Sequence, residues 1–520
     1  MTLESALLTI FIFTFVSNLS LIAGMTVNVD SWILVRWLNS NQIDKLHEFY
    51  KKIGTPQYGW LVSYLWKISK SNLLVSGIFV FVMRFVHSYS IFIILNHHFS
   101  FKIEFALVVT LVTVLYPAQN FLFDYIIGVQ YGFLWPLYLF GINLLLFVKE
   151  VSGYKSHLLA ISSILILIYS FAMKSLLFLT PILSCFLMLF FADNKTTNPV
   201  FNLYLFLLLI SPFIYWLLNE KYSPRSDNYF NYNNFLGFQE VPKFLKNTFS
   251  GVAVSQFGGL LDVVKILRFP QFWLILSISL IPIITYDYTD DLVISSQLSQ
   301  RIFFASIFLS LVCVIPYTLV GQIFDSSNTQ TKNNIMQDLP FGLFVFSIYN
   351  LLFETLNHFI IVVLITLLLY RFWENFNLWI LYSKQSALQL CLDALPKKSD
   401  IAFFVLDLTS YKSSNLKSHL YPMTLFYMAN SIETYSNLKC GIEGNFTKRS
   451  DVVNAVRDKY INSPLPFVKS TFKPSLVFKV TLVDDSVTVK NLLIFIKRQF
   501  KKDPLHLTTN NLFKCTVEAF

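Results

Sequence analysis

Two acids and a handful of basic side chains, read against the apolar runs around them, carry the chemistry open to this chain. Asp30 follows the first apolar run at once. An acid there is partly desolvated and close to lipid headgroups. It could take a proton from an attacking hydroxyl or hold a divalent cation such as Mg2+ or Mn2+. It could also simply open the next helix as a cap. Asp124, within 119–130, is the natural second acid, with a plain helix-end role as its alternative. Arg36, Lys174, Lys221 and Arg225 are the cations placed to hold a phosphate, although Arg36 could snorkel and Arg225 could be an ordinary loop charge. Arg84 differs, because it lies inside an apolar run with His87 three residues on, on the same helical face. An arginine at membrane depth is costly and faces a cavity or a partner.

The elements that must position these residues are membrane spans. The chain has 520 residues, 55% of them hydrophobic and 13% charged, with mean hydropathy +0.56. Soluble domains carry about 25% charged residues. About 20 apolar residues cross the hydrocarbon layer. About eleven runs approach this: 5–26, 72–95, 104–121, 131–148, 157–173, 175–192, 199–218, 272–287, 302–320, 340–354 and 356–372. The expected fold is therefore mainly α, a polytopic transmembrane bundle over 1–395. The first run lacks a basic flank before it and reads as a retained helix.

Positive charge on short loops sets orientation. Lys102, Lys149, Lys155, Lys195 and Arg301 fall on one side, Lys174 and Lys332 on the other. This puts the amino terminus inside and the long loops 27–71 and 219–271 outside. An odd number of spans then puts the tail, 396–520, outside as an extracytoplasmic α/β domain. Residues 397–520 hold 18 Lys/Arg against 10 Asp/Glu, a net of +8. That excess suits anionic headgroups or an acidic glycan, or is only a solvated surface. No base-reading motif accompanies it, so nucleic acid is not an expected partner.

Ahead of the tail, 372–395 reads as an interfacial helix rich in aromatic residues. Within the tail, 401–408 reads as a buried strand and 421–436 as a helix. Residues 475–484 and 487–496 read as a hairpin around Asp484-Asp485-Ser486. Cys185 and Cys313 lie in apolar runs and Cys391 near the last one. Cys440 and Cys515 are then the candidate disulfide within the tail. No zinc-ligand spacing, phosphate-binding glycine loop, serine-hydrolase elbow or HExxH motif occurs in a usable context.

The first loop holds V-D-S-W-I-L at 29–34 and I-G-T-P-Q-Y-G-W-L at 53–61, and a late span holds I-P-Y-T-L-V-G-Q-I-F at 315–324. This layout resembles the GT-C glycosyltransferases, integral membrane enzymes that take a sugar from a polyprenyl-phosphate carrier on the outer face, and in particular their bacterial members. The resemblance covers most of residues 1–395. It implies a multi-pass protein of the bacterial inner or plasma membrane, acting in cell-envelope polysaccharide synthesis. It implies inverting or retaining transfer from a polyprenyl-phosphate sugar to a lipid-linked or surface glycan. Asp30 would be the base or metal ligand, Asp124 its support, and the basic loop residues the phosphate holders. Where relatives carry paired acids in the first loop, Asp30 is followed by Ser31, and Asp44 is too far along to complete a pair. A non-enzymatic transporter or flippase of lipid-linked glycans is the rival of another class, but no repeated halves appear. A surface-polysaccharide polymerase or ligase would share the layout.

Overall fold

The computed structural model describes residues 1–23, 25, 31–69, 73–118, 124–191, 199–226, 237–268, 270, 272–274, 276–277, 295–324, 329–353, 358–396, 401–409, 439–461, 473–485, 488, 490–491 and 512–520. The first part is helical. It begins with α1 (Leu3–Ser17), α2 (Leu19–Ala23), α3 (Ser31–Asn39), α4 (Ile43–Ile53) and α5 (Pro56–Ser69). Next come α6 (Leu73–Ile93), α7 (Ile103–Val114), α8 (Tyr125–Phe147), α9 (Tyr154–Ser170), α10 (Leu176–Phe191) and α11 (Pro199–Tyr222). The remainder is α12 (Val241–Ala253), α13 (Gly259–Val264), α14 (Ser296–Thr318), α15 (Asp338–Phe353) and α16 (His358–Asp393).

Among the described residues, seven helical stretches are long and apolar enough to cross a membrane: Leu74–His98, Tyr125–Glu150, Pro199–Tyr222, Val241–Arg268, Ser296–Thr318, Asn333–Phe353 and Ile360–Asp393. Leu3–Ser17, Ile103–Val114, Tyr154–Ser170 and Leu176–Phe191 are apolar but shorter. Val241–Arg268 lies within the stretch expected as an outer loop, 219–271. Most of the run expected to span at 272–287 falls outside the described residues. The bundle's outer faces are apolar: α11 alone exposes Leu203, Phe206, Phe213, Ile214 and Trp216. A surface of that kind suits lipid, where water would penalise it.

Contacts fix the direction in which the helices run. Met1 meets Glu104 at the start of α7, and His97, just beyond α6, meets Glu150, just beyond α8. These contacts define the amino-terminal end of the bundle. At the other end Ser31, opening α3, meets Asp124 before α8, and Tyr317 of α14 reaches Ser175 between α9 and α10. Asn375, midway along α16, donates to the carbonyl of Ser17, and its carboxamide oxygen accepts from the Ser20 amide. The long α16 thus leaves the bundle at this second end and carries the tail there. Helix α16 runs unbroken from His358 to Asp393, so the last apolar run and the expected interfacial helix are one element. Its 36 residues extend about 54 Å, well beyond the hydrocarbon thickness. Close helix approach is paid for with small residues: a Cβ on Gly77 of α6 would lie 1.8 Å from the Leu21 carbonyl oxygen.

Arg84 finds an acid inside the bundle. Its Nη1 lies 3.4 Å from Oδ2 of Asp338, and His87 Nε2 lies 3.2 Å from the same oxygen. The other carboxylate oxygen accepts from Trp135 Nε1 at 3.2 Å and from the Leu339 amide at 2.8 Å. All three charged or imidazole side chains are fully or almost fully buried. Removing one member of such a buried pair strands the other charge. Asp338→Leu is expected to destabilise the bundle by about 3–5 kcal/mol, read as a drop in thermal melting of the detergent-purified protein. An unchanged melting curve would contradict a structural role for the pair.

The tail contains a four-stranded sheet in the order β2-β1-β3-β4. Its strands are β1 (Ile401–Asp407), β2 (Lys439–Glu443), β3 (Leu476–Asp484) and β4 (Phe513–Ala519). Strand β1 pairs in parallel with β2 and β3, while β4 pairs antiparallel with β3. Alternation sorts β1 between two faces. Ala402 and Phe404 pack with Val452 and Val456 of α17 (Arg449–Ile461), and Phe403 and Val405 join the main core. The strand expectation at 401–408 holds. The hairpin does not, because both edges of β3 are occupied by β1 and β4, and Lys490 and Asn491 are helical. The helix expected at 421–436 lies outside the described residues.

Two contacts bind the sheet to α16. Lys384, buried on α16, pairs with Asp407 at the end of β1. Burial would raise the Asp407 carboxyl, but Lys384 and two hydrogen bonds from Thr409 outweigh it and hold it below the usual range. A depressed carboxylate contributes stability above its unfolded value near 4, and that contribution is lost only as pH falls through the lower folded value. The second contact is a disulfide joining Cys391 to Cys515, with Cα atoms 6.1 Å apart. Cys440 lies buried in β2 outside this bridge, which corrects the Cys440–Cys515 pairing. Cys391→Ser should leave one more alkylatable thiol and lower tail stability by about 2–5 kcal/mol. An identical thiol count in the wild type and the variant under denaturing, non-reducing conditions would refute the bridge.

Candidate functional site

The turn Gly54-Thr55-Pro56 is built by local rules. Helix α4 buries Leu46 and Tyr50 and places Asp44 in its first turn, with Lys51 and Lys52 in its last, as the helix dipole favours. Gly54 closes it with φ +79°, donating to the Lys51 carbonyl, while the Thr55 amide donates to the Tyr50 carbonyl at 2.9 Å. A glycine with positive φ supports this cap, and Pro56 opens α5 where a missing amide hydrogen costs nothing.

The last turns of α11 and the segment after it wrap this turn. Asn219 Nδ2 donates to the Gly54 carbonyl at 3.2 Å, and the Ser226 amide donates to the Lys52 carbonyl at 3.1 Å. Lys174 arrives from the α9–α10 turn. A Cβ on Gly54 would lie 3.2 Å from each of Arg225 Cγ, Lys174 Nζ and the Ser223 carbonyl oxygen. The Lys174 ammonium and the stem of Arg225, from distant parts of the chain, therefore meet over one glycine. Burial, then repulsion from Arg225, push Lys174 down to about 8, against the pull of Glu220. An anion placed between the two would relieve that repulsion.

The acid lies on the same end of the bundle. Asp124 is buried and caps α8, its Oδ1 accepting from the Ile127 amide at 3.0 Å and from Ser31 Oγ at 2.6 Å. Ser31 is the residue after Asp30 in sequence. Gln130 donates to the phenolic oxygen of buried Tyr50. Burial raises the Tyr50 phenol; Gln130 opposes this and the nearby Asp124 carboxylate adds to it. From Tyr50 an aromatic band continues. Its ring centroid is 6.0 Å from Tyr58, which is 6.3 Å from Tyr131. Burial raises the Tyr58 phenol, with Tyr131, Tyr317, Tyr215 and Tyr50 each adding to it. Tyr317 then donates to Ser175, the neighbour of Lys174, at 3.3 Å.

The sequence candidates thus divide. Asp124, Lys174 and Arg225 share this end of the bundle. Lys221 is exposed, its ammonium 5.4 Å from its neighbour Tyr222's ring centroid. Arg84 and His87 sit deeper, with Asp338. Asp30 and the Arg36 side chain lie outside the description. The expected divalent-cation ligand, Asp30, is not among the described residues, and among those described Asp124 belongs to no group of three His, Cys, Asp or Glu ligands. Sequence reading missed Asp338, Tyr50 and Gln130. Only Asp338 had a signal: it is an acid placed just before an apolar run, of the kind Arg84 requires.

No protein-family model matches the chain, and no curated protein matches it.

Proposed function

We propose that this chain is an integral membrane glycosyltransferase of the GT-C kind, moving a sugar from a polyprenyl-phosphate carrier to a glycan or lipid-linked acceptor. The observation that carries this reading is the meeting of Lys174 and Arg225 over the Gly54 turn, joined by a band of tyrosines to Asp124. The cation pair suits the carrier phosphate. As the acceptor oxygen attacks the anomeric carbon, the bond to the phosphate oxygen breaks and charge grows on the leaving phosphate. Fixed cations there favour the transition state over the ground state. The hydroxyl proton passes to Asp30. Asp124 acts as a positioning residue, holding Ser31 through its carboxylate. A disulfide between α16 and the tail suits an oxidising compartment, which agrees with a tail and a site on the outer face.

The test uses the purified protein in liposomes with a polyprenyl-phosphate sugar labelled on the sugar. Transfer releases unlabelled polyprenyl phosphate and moves the label to acceptor. Movement of intact donor across the bilayer without release would favour a flippase instead. A pH dependence follows as well. The Lys174 ammonium is charged below about 8 and loses its proton above it, so donor affinity should fall as pH rises through about 8. Lys174→Arg stays charged throughout this range and should flatten the profile.

A further inference from the structure

The amino-terminal end of the bundle holds a second cluster, far from the tail. The last turn of the span containing α6 widens into a π-helix at Ile94–His98, a local departure common at functional sites. His97 and His98 are adjacent, so a regular helix would point them about 100° apart. They reach one carboxylate because they use different nitrogens. His97 Nε2 lies 2.9 Å from both oxygens of Glu150, and His98 Nδ1 lies 3.6 Å from Oε1. Both rings also pack on Phe147, which fixes their planes.

The hydrogen bonding of His98 identifies what is missing between them. Its Nε2 meets Oδ1 of Asn143 at 3.1 Å. A carboxamide oxygen only accepts, so Nε2 carries the proton and Nδ1 presents a lone pair. That lone pair is buried, faces the Glu150 carboxylate and has no hydrogen-bond partner among the described residues. Two acceptors facing each other repel unless a proton donor or a cation lies between them, and a cation is what two imidazoles and a carboxylate are suited to hold. A second ring nitrogen donating to an amide oxygen is also what orients a metal-bound histidine. The nearby cation, Lys149, holds its ammonium 3.8 Å from the centroid of the Phe191 ring. The carboxylate's ion-pair partners among the described residues are the two histidines.

We propose that His97, His98 and Glu150 bind a divalent transition-metal ion of the zinc class. The three ligand atoms lie within 4.8 Å of one another. Bonds of about 2.0–2.2 Å in a tetrahedron put ligand atoms roughly 3.4 Å apart, so small side-chain adjustments close the site. Two imidazoles and one carboxylate suit Zn2+, whereas Mg2+ prefers oxygen alone. Glu150 and His97 are about half exposed, with side-chain values of 45% and 46%, which leaves a fourth position for water. The ion would clip the end of α6 to the end of α8.

The full chain in detergent, stripped with chelator, should take up one equivalent of Zn2+ by calorimetric titration. Co2+ in its place should give the visible bands of a tetrahedral complex. Glu150→Gln and His97→Asn should each weaken uptake by about 10–100-fold or more, while His157→Asn, elsewhere at this end, should not. Zn2+ should also protect His97 of the wild type from acylation, read by peptide mass spectrometry, which needs no variant to fold. The absence of stoichiometric uptake, equal uptake in all three variants, or unprotected His97 would each overturn the site.

Discussion

Asp30→Asn is expected to slow sugar transfer by about 10²–10⁴-fold, the usual contribution of a positioned acid–base group, while leaving donor binding intact. The two side chains are nearly isosteric, so size does not change. The amide cannot take the acceptor's proton, and it caps helices about as well as the acid. A capping role for Asp30 therefore predicts almost no loss. Asp124→Asn should cost less, because the amide oxygen can still accept from Ser31 and from the Ile127 amide, as Asp124 Oδ1 does. Asp124→Ala removes both bonds and the α8 cap, worth about 1 kcal/mol or more, and should lower stability along with activity. Rates of wild type, Asp30→Asn, Asp124→Asn and Asp124→Ala under saturating donor separate these roles. Near-normal turnover by Asp30→Asn would remove it from the mechanism.

Lys174→Gln or Arg225→Gln should weaken binding of the polyprenyl-phosphate donor by about 10–100-fold, since a charge-assisted hydrogen bond contributes about 1.5–3 kcal/mol. Each substitution keeps much of the aliphatic stem and removes one charge. The loss should appear in both KM and kcat, because the same cations meet the leaving phosphate as its charge grows. Lys221→Gln, on the neighbouring exposed turn, should change little. Equal effects at all three positions would point to diffuse attraction of an anionic lipid by surface charge.

The bundle was legible in the sequence because membrane spans announce themselves by length and composition. The turn at Gly54 was legible because its signals are local: a glycine where φ is positive and a proline that opens the next helix. Long-range partners were not. Nothing local to Arg225 indicates that it meets Lys174. That the last apolar run and the helix read at 372–395 form one α16 was hidden, because Arg371 and Glu374 at their junction satisfy each other at 2.7 Å within the helix. The tail misled for a related reason. Residues 487–496 follow β3 in sequence, but β4, at Phe513–Ala519, supplies the antiparallel neighbour. Likewise Cys515 pairs with Cys391 on α16, outside the domain that proximity in sequence had defined.

The central claim is that a lipid-borne phosphate sits over the Gly54 turn between Lys174 and Arg225. A cryo-electron microscopy map of the protein in nanodiscs with polyprenyl monophosphate tests it most directly. The account predicts phosphate density touching both side chains, with the prenyl chain running out between bundle helices into lipid. Phosphate density elsewhere, on the basic tail or beside Arg84, with the Gly54 turn unoccupied, would contradict it.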